Sequence, residues 1–148
     1  MSETETELPL SENVGYLLNR SAQILRERLA DALTPLSLSF QEYVVLRMVE
    51  MEVSETQQGV GRRTGIDRTS MVDIVDRLEE RELVDRVKDE KDRRRLKLLL
   101  TPRGRKTLAH AKRIAEKEHK AFLEPLSQEE WAMVRGCLVK LIGENSPE

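Results

Sequence analysis

Three consecutive arginines, Arg93, Arg94 and Arg95, follow Asp92 in a polar stretch that also holds Lys91. Guanidinium groups present fixed forks of N–H donors that match phosphate oxygens and the acceptor edge of guanine. A second candidate group, Arg68, Thr69, Ser70 and Asp73, stands at the start of a segment whose Met71, Ile74, Val75 and Leu78 recur at helical spacing. At the N-terminus of a helix lying in a DNA groove, Arg68 can reach a guanine bidentately. Thr69 and Ser70 can meet a base or phosphate, and Asp73 a cytosine amino group. Arg77 shares that face. Asp76 and Glu80 share it too, but phosphates repel a carboxylate that reads no base, so both are read as solvated surface. Thr56 and Gln57, at the start of the preceding helical segment, complete the candidate DNA contacts.

Other chemistry has little support. There is no glycine-rich phosphate loop, nucleophile elbow or cluster of metal-ligand residues, so neither an enzyme nor a cofactor is expected. His110 and His119 lie nine residues apart on one helical segment, too far to share a metal, and read as solvated side chains. Cys137 is the only cysteine. It falls on the apolar stripe Val134, Cys137, Leu138 and Leu141, which reads as a small buried hydrophobe before a reactive thiolate.

Charge is unevenly distributed. The net charge is −2, yet residues 61–106 carry 15 Lys/Arg against 10 Asp/Glu, and the rest of the chain carries 10 against 17. A basic segment in an acidic frame fits a DNA-reading module on a scaffold. The single cysteine, the acidic start without an apolar core, and the lack of any apolar run near ~20 residues point to a cytoplasmic protein away from membranes.

The elements that must hold the cations are legible from caps and breakers. Residues 1–10 read as a disordered lead-in, and Ser11 as the N-cap of a helix to about Leu33, with Pro35 stopping it. Ser39-Phe-Gln-Glu42 is a capping-box pattern opening a second helix to about Glu50. Thr56 caps a short third helix. It is followed by the turn Thr64-Gly65-Ile66-Asp67 and a fourth helix to about Arg81. Residues 83–88 and 95–101 read as two strands around the polar loop. Thr101-Pro102 opens a long fifth helix to about Leu123, and Ser127-Gln-Glu-Glu130 a last one that ends at Gly143.

The third and fourth segments meet the needs of a helix-turn-helix. Val60 is apolar and Gly61 small, Gly65 sits in the turn, and Ile66, Met71 and Ile74 face inward. An ordinary helical hairpin is the alternative for this stretch alone. The charged hairpin beyond it can act as a wing whose arginines enter a narrow minor groove, with Asp92 gripping a guanidinium in a forked geometry. The fold class expected is mainly α with a small β-hairpin wing, a winged helix-turn-helix forming one domain over residues 1–148. The winged module would span about 39–101.

Residues 64–104, TGIDRTSMVDIVDRLEERELVDRVKDEKDRRRLKLLLTPRG, resemble the multiple-antibiotic-resistance-regulator family, the MarR-type winged helix proteins. The densest likeness is Asp92-Arg-Arg94 with Leu100-Thr-Pro-Arg-Gly104. The resemblance implies a two-fold homodimer built from the first, fifth and sixth helices, about residues 11–36 and 102–143. It also implies double-stranded DNA as partner, Asp92 and Arg94 as the wing pair, and repression relieved by a small aromatic or phenolic effector. For such a ligand Arg20 is the candidate carboxylate partner, with Tyr16 and Tyr43 as walls. Arg20 pairing with a protein carboxylate is the alternative. Where relatives usually have glycine after the recognition helix this chain has Glu82, so ~1 kcal/mol of backbone strain is expected there. An adaptor whose winged module binds a protein partner is the runner-up function.

Overall fold

A computed structural model describes residues 9–51 and 56–145. Within them lie six α-helices and one antiparallel hairpin: α1 (Val14–Leu33), α2 (Phe40–Met51), α3 (Gln57–Thr64), α4 (Arg68–Glu80), β1 (Val84–Lys88), β2 (Leu96–Leu100), α5 (Pro102–Leu123) and α6 (Gln128–Asn145). Most caps sit where expected. The Ser39 and Glu42 side chains each accept the other residue's backbone N–H, at 3.0 and 2.9 Å. Ser127 and Glu130 repeat the pattern, Thr56 Oγ1 accepts from the Gly59 N–H at 3.1 Å, and Thr101 caps α5 with Pro102 in the first turn.

Several boundaries differ, and the strands are shorter than expected, Val84–Lys88 and Leu96–Leu100. Ser11 does not cap α1: it lies in a 3-10 turn, Leu10–Glu12, and Asn13 Oδ1 accepts from the Tyr16 N–H at 2.8 Å instead. That turn also places Leu10 in regular structure, while residues 1–8 of the expected lead-in lie outside the described residues. α6 continues past Gly143 to Asn145, since no break in backbone geometry accompanies that glycine.

The core forms where α2, α3, α4 and the hairpin meet the C-terminal half of α1 and the first half of α5. Val45, Leu46, Val60, Ile74, Val75, Leu78, Val84, Leu98 and Leu108 are at most 1 % exposed. Gly65 ends α3 at φ +72°, the left-handed conformation the turn needs. A Cβ on Gly61 would lie 3.2 Å from both the Ile66 carbonyl oxygen and Met71 Cγ, which explains the small residue at this helix crossing.

The hairpin pairs Val84 with Leu100 through Lys88 with Leu96. Its buried residues, Val84, Leu98 and Leu100, face the core, leaving the polar end to project.

Glu82 has φ +57°, so the expected strain is present between α4 and β1. Relief of a left-handed non-glycine, ~1–2 kcal/mol, outweighs the ~0.4–1 kcal/mol of unfolded-state entropy that glycine adds. Glu82→Gly is therefore expected to stabilise the protein by about 0.5–1 kcal/mol. A denaturation midpoint at or below that of the parent would contradict this.

Two surfaces remain uncovered. α6 buries no residue, with Met133 73 % and Val139 61 % exposed, and the N-terminal half of α1 leaves Val14, Leu17 and Leu18 open. Cys137, expected among buried apolar residues, is exposed because nothing within the described chain packs over its face of α6. No described helix is long and apolar enough to cross a membrane.

Candidate nucleic-acid interface

The N-terminus of α4 is built by Asp67, whose Oδ1 accepts from the Ser70 N–H at 2.9 Å. Its second oxygen accepts from the Ser70 hydroxyl at 2.6 Å. The Ser70 hydroxyl and backbone N–H together hold the Asp67 carboxyl below the usual carboxylate range. The only hydroxyl proton of Ser70 is thereby committed to the cap, so Ser70 can offer a base an acceptor but a phosphate nothing. Arg68, Thr69 and Asp73 are exposed beside it.

A cleft of about 530 Å³ separates this helix start from the hairpin. Gln57 and Arg62 from α3, Arg68 and Val72 from α4, and Arg94 and Leu96 from the hairpin all border it. Residues read from sequence as two separate groups thus share one depression. Thr56, whose hydroxyl serves the α3 cap, adjoins it and bridges to Lys97 of β2.

The wing loop is ordered by two carboxylates. Asp89 Oδ1 accepts from the Lys91 N–H at 2.8 Å, a bond that, with Lys97 nearby, holds its carboxyl below the ordinary range. Asp92 Oδ1 accepts from the Arg94 N–H at 3.1 Å. The expected fork onto one guanidinium does not form. Asp92 instead divides its oxygens, Oδ1 lying 3.4 Å from Arg94 Nε and Oδ2 3.7 Å from Arg95 Nε. One carboxylate thus serves two guanidinium groups, each through its Nε. Arg94 stays 94 % exposed at the tip, with Arg93 and Arg95 exposed around it.

Arg77 is held. Its Nε donates to Glu42 Oε1 at 3.0 Å, and Glu42 is itself buried under α4. Arg81 lies 3.9 Å from the same carboxylate and donates to the Ser37 and Leu36 carbonyls. One buried carboxylate therefore caps α2 and anchors the C-terminal end of α4. The capping-box pattern revealed the first role, and nothing local revealed the second. Asp76, read as mere solvated surface, instead lies 2.7 Å from Arg86 Nη1 on β1.

The proposed effector residues are not brought together within one chain. Tyr16 and Arg20 are exposed on α1, whereas Tyr43 is buried on α2. Burial pushes the Tyr43 phenol above its ordinary range, with Arg47 opposing the shift and Glu50 adding to it. Neither the cleft beside α4 nor a smaller one behind the wing includes any of the three. His110 and His119 are exposed on α5.

Comparison with known proteins agrees with this geometry. A MarR family model matches residues 36–95, from the turn that follows α1 through the wing loop. An HTH-type transcriptional repressor of Mycobacterium bovis is 28 % identical over 128 residues, covering 86 % of this chain and 92 % of the relative. A MarR-family transcriptional regulator from Rhodococcus sp. RHA1 is 30 % identical, with a TM-score of 0.85 over 90 % of this chain and 94 % of that one. The transcriptional repressor CouR, solved on a 23-mer DNA duplex, is 29 % identical with a TM-score of 0.81, covering 92 % and 99 %. CouR from Rhodococcus jostii RHA1 has also been solved with p-coumaroyl-CoA, at 28 % identity and a TM-score of 0.83, covering 95 % and 99 %. Winged architecture, recognition-helix capping and these likenesses converge: the chain belongs to the MarR family of winged helix-turn-helix DNA-binding transcription regulators, and is not an enzyme.

Proposed function

We propose that the protein is a homodimeric repressor that grips a pseudo-palindromic operator and is released by a small aromatic or phenolic ligand. The observation that carries the dimer is the uncovered apolar surface of α1 and α6, centred on Leu17, Leu18, Met133 and Val139. A second copy related by a two-fold axis would bury both faces at once, over ~2,000 Å² or more in total. α1, α5 and α6 then serve as dimerisation helices, and residues 39–101 as the DNA-reading module.

In that arrangement each α4 enters a major groove by its N-terminus, with Arg68, Thr69, Ser70 and Asp73 toward base edges. Arg94 reaches the flanking minor groove, Asp92 ordering its loop and Arg93 and Arg95 lying over phosphates. Thr56, Gln57 and Arg77 border the backbone between. Two such modules favour an inverted repeat with half-sites about 10 bp apart. The ligand reading is supported by CouR, a relative solved with p-coumaroyl-CoA. Tyr43, buried on α2, and Tyr16 and Arg20 on the uncovered half of α1 would line a site completed by the partner subunit.

Sedimentation equilibrium at micromolar concentration is expected to give a dimer, and Leu18→Glu combined with Val139→Glu a monomer. A folded wild-type monomer would sink the proposal. DNA retention measured against salt should fall with a steep log–log slope, as counterion release requires. A flat response would point to a protein partner instead. Adding aromatic acids singly to the complex tests the effector, and a panel with no effect on retention would remove that part.

A further inference from the structure

Nothing in the sequence marks Arg86, which stands on β1 among residues of mixed polarity. In the fold its side chain is only 16 % exposed and bonds to two helices, α3 and α4. Nε donates to Gln57 Oε1 of α3 at 3.1 Å. Nη1 lies 2.7 Å from Asp76 Oδ1 and 3.2 Å from Glu79 Oε1, and Nη2 donates to the Val72 carbonyl at 3.3 Å, all on α4. The Arg86 backbone N–H donates to the other Glu79 oxygen at 3.3 Å. We propose that Arg86 is a positioning residue for DNA readout, fixing the recognition helix against the wing and turning the Gln57 amide toward DNA.

Three features support this. The guanidinium is a rigid planar fork, so simultaneous bonds to α3 and α4 set both a distance and an angle between those helices and β1. A lysine supplies the same charge at one point and cannot span all the acceptors. A guanidinium also only donates, so its partner on Gln57 must be Oε1, and Nε2 is left as a donor. That nitrogen has no partner among the described residues, and Gln57 borders the cleft shared by Arg68 and Arg94. Finally, Asp76 and Glu79 would repel phosphate if unpaired, and one guanidinium bonded to both offsets part of that charge. Arg86 therefore acts through α4 and Gln57. The inference rests on the proposed placement of α4 and Gln57 against DNA.

The test compares affinities for a duplex that the wild-type protein selects from a random-sequence pool and for the scrambled duplex. All titrations are run well below each variant's melting midpoint. Arg86→Lys keeps the charge and is expected to bind scrambled DNA much as wild type does. Its affinity for the selected duplex should fall about tenfold or more, the size expected when base-reading side chains are out of register. Arg86→Gln should weaken both duplexes. Adding Asp76→Asn and Glu79→Gln should restore the scrambled affinity but not the preference. If Arg86→Gln fails to fold, Arg86→Lys alone decides.

A wild-type preference retained in Arg86→Lys, or regained in the triple variant, would overturn the inference and show that charge suffices. A wild-type protein with no sequence preference would overturn the placement of α4 in the groove, and this inference with it.

Discussion

Gly104→Ala is expected to destabilise the protein by about 3 kcal/mol or more, at the upper end of overpacking effects. A Cβ at this position would fall on the carbonyl oxygen of Leu83, with the carbon of that carbonyl 2.9 Å away. Backbone on both sides is already committed. The Leu83 carbonyl accepts from the Thr101 N–H at 3.2 Å, and Thr101 Oγ1 accepts from the Gly104 N–H at 2.9 Å. The same hydroxyl donates to the Glu82 carbonyl. The first turn of α5 therefore cannot withdraw without breaking its cap and the start of the hairpin together. Arg105→Ala, one residue on and exposed, should stay within about 0.5 kcal/mol of wild type. Chemical denaturation of the two variants gives the comparison. A Gly104→Ala midpoint close to that of Arg105→Ala would show that this junction is far more yielding than its bonding suggests.

The two DNA-reading elements are expected to fail in different ways. Arg94 projects from the wing tip almost fully exposed. In a minor groove A·T and T·A look alike, so its contribution comes from charge and groove width. Arg94→Ala should weaken many sequences nearly equally and lower the salt slope by about one unit for each phosphate no longer neutralised. Arg68 stands at the capped start of α4, the end proposed to meet base edges. Arg68→Ala should cost roughly 1–3 kcal/mol on the preferred site and less on random DNA, narrowing the specificity ratio. Both side chains are exposed, so melting temperatures should be unchanged. Titrations on operator and scrambled duplexes at several salt concentrations separate the roles. Relaxed specificity in Arg94→Ala with uniform weakening in Arg68→Ala would reverse the assignment.

Signals confined to one turn of chain were legible before any coordinates. Thr56, the Ser39–Glu42 and Ser127–Glu130 boxes and Thr101-Pro102 satisfy amides three residues away, so spacing alone reveals them. Gly65 was readable in the same way, because a turn that needs positive φ favours glycine, whereas the strain at Glu82 was expected only from the resemblance to relatives with glycine there. The wing arginines, adjacent in sequence, likewise marked the region proposed to face DNA. Asn13 taking the cap from Ser11 shows the resolution of such reasoning, since both residues can accept the bond and a 3-10 turn over Leu10–Glu12 moves the helix start to Val14.

Only the tertiary structure decided what each charged side chain does. Arg86 meets Gln57 across 29 residues of sequence, and Arg77 meets Glu42 across 35. No periodicity encodes such pairs, because long side chains find partners only after helix crossings fix their positions. That is why Asp76 read as solvated surface and proved to be paired, and why Glu42 read as a cap and proved also to be an anchor. The apolar face of α6 reads as buried in sequence and is open in the single chain. A hydrophobic stripe records that a face is to be covered, and the fold determines whether its own chain can reach to cover it.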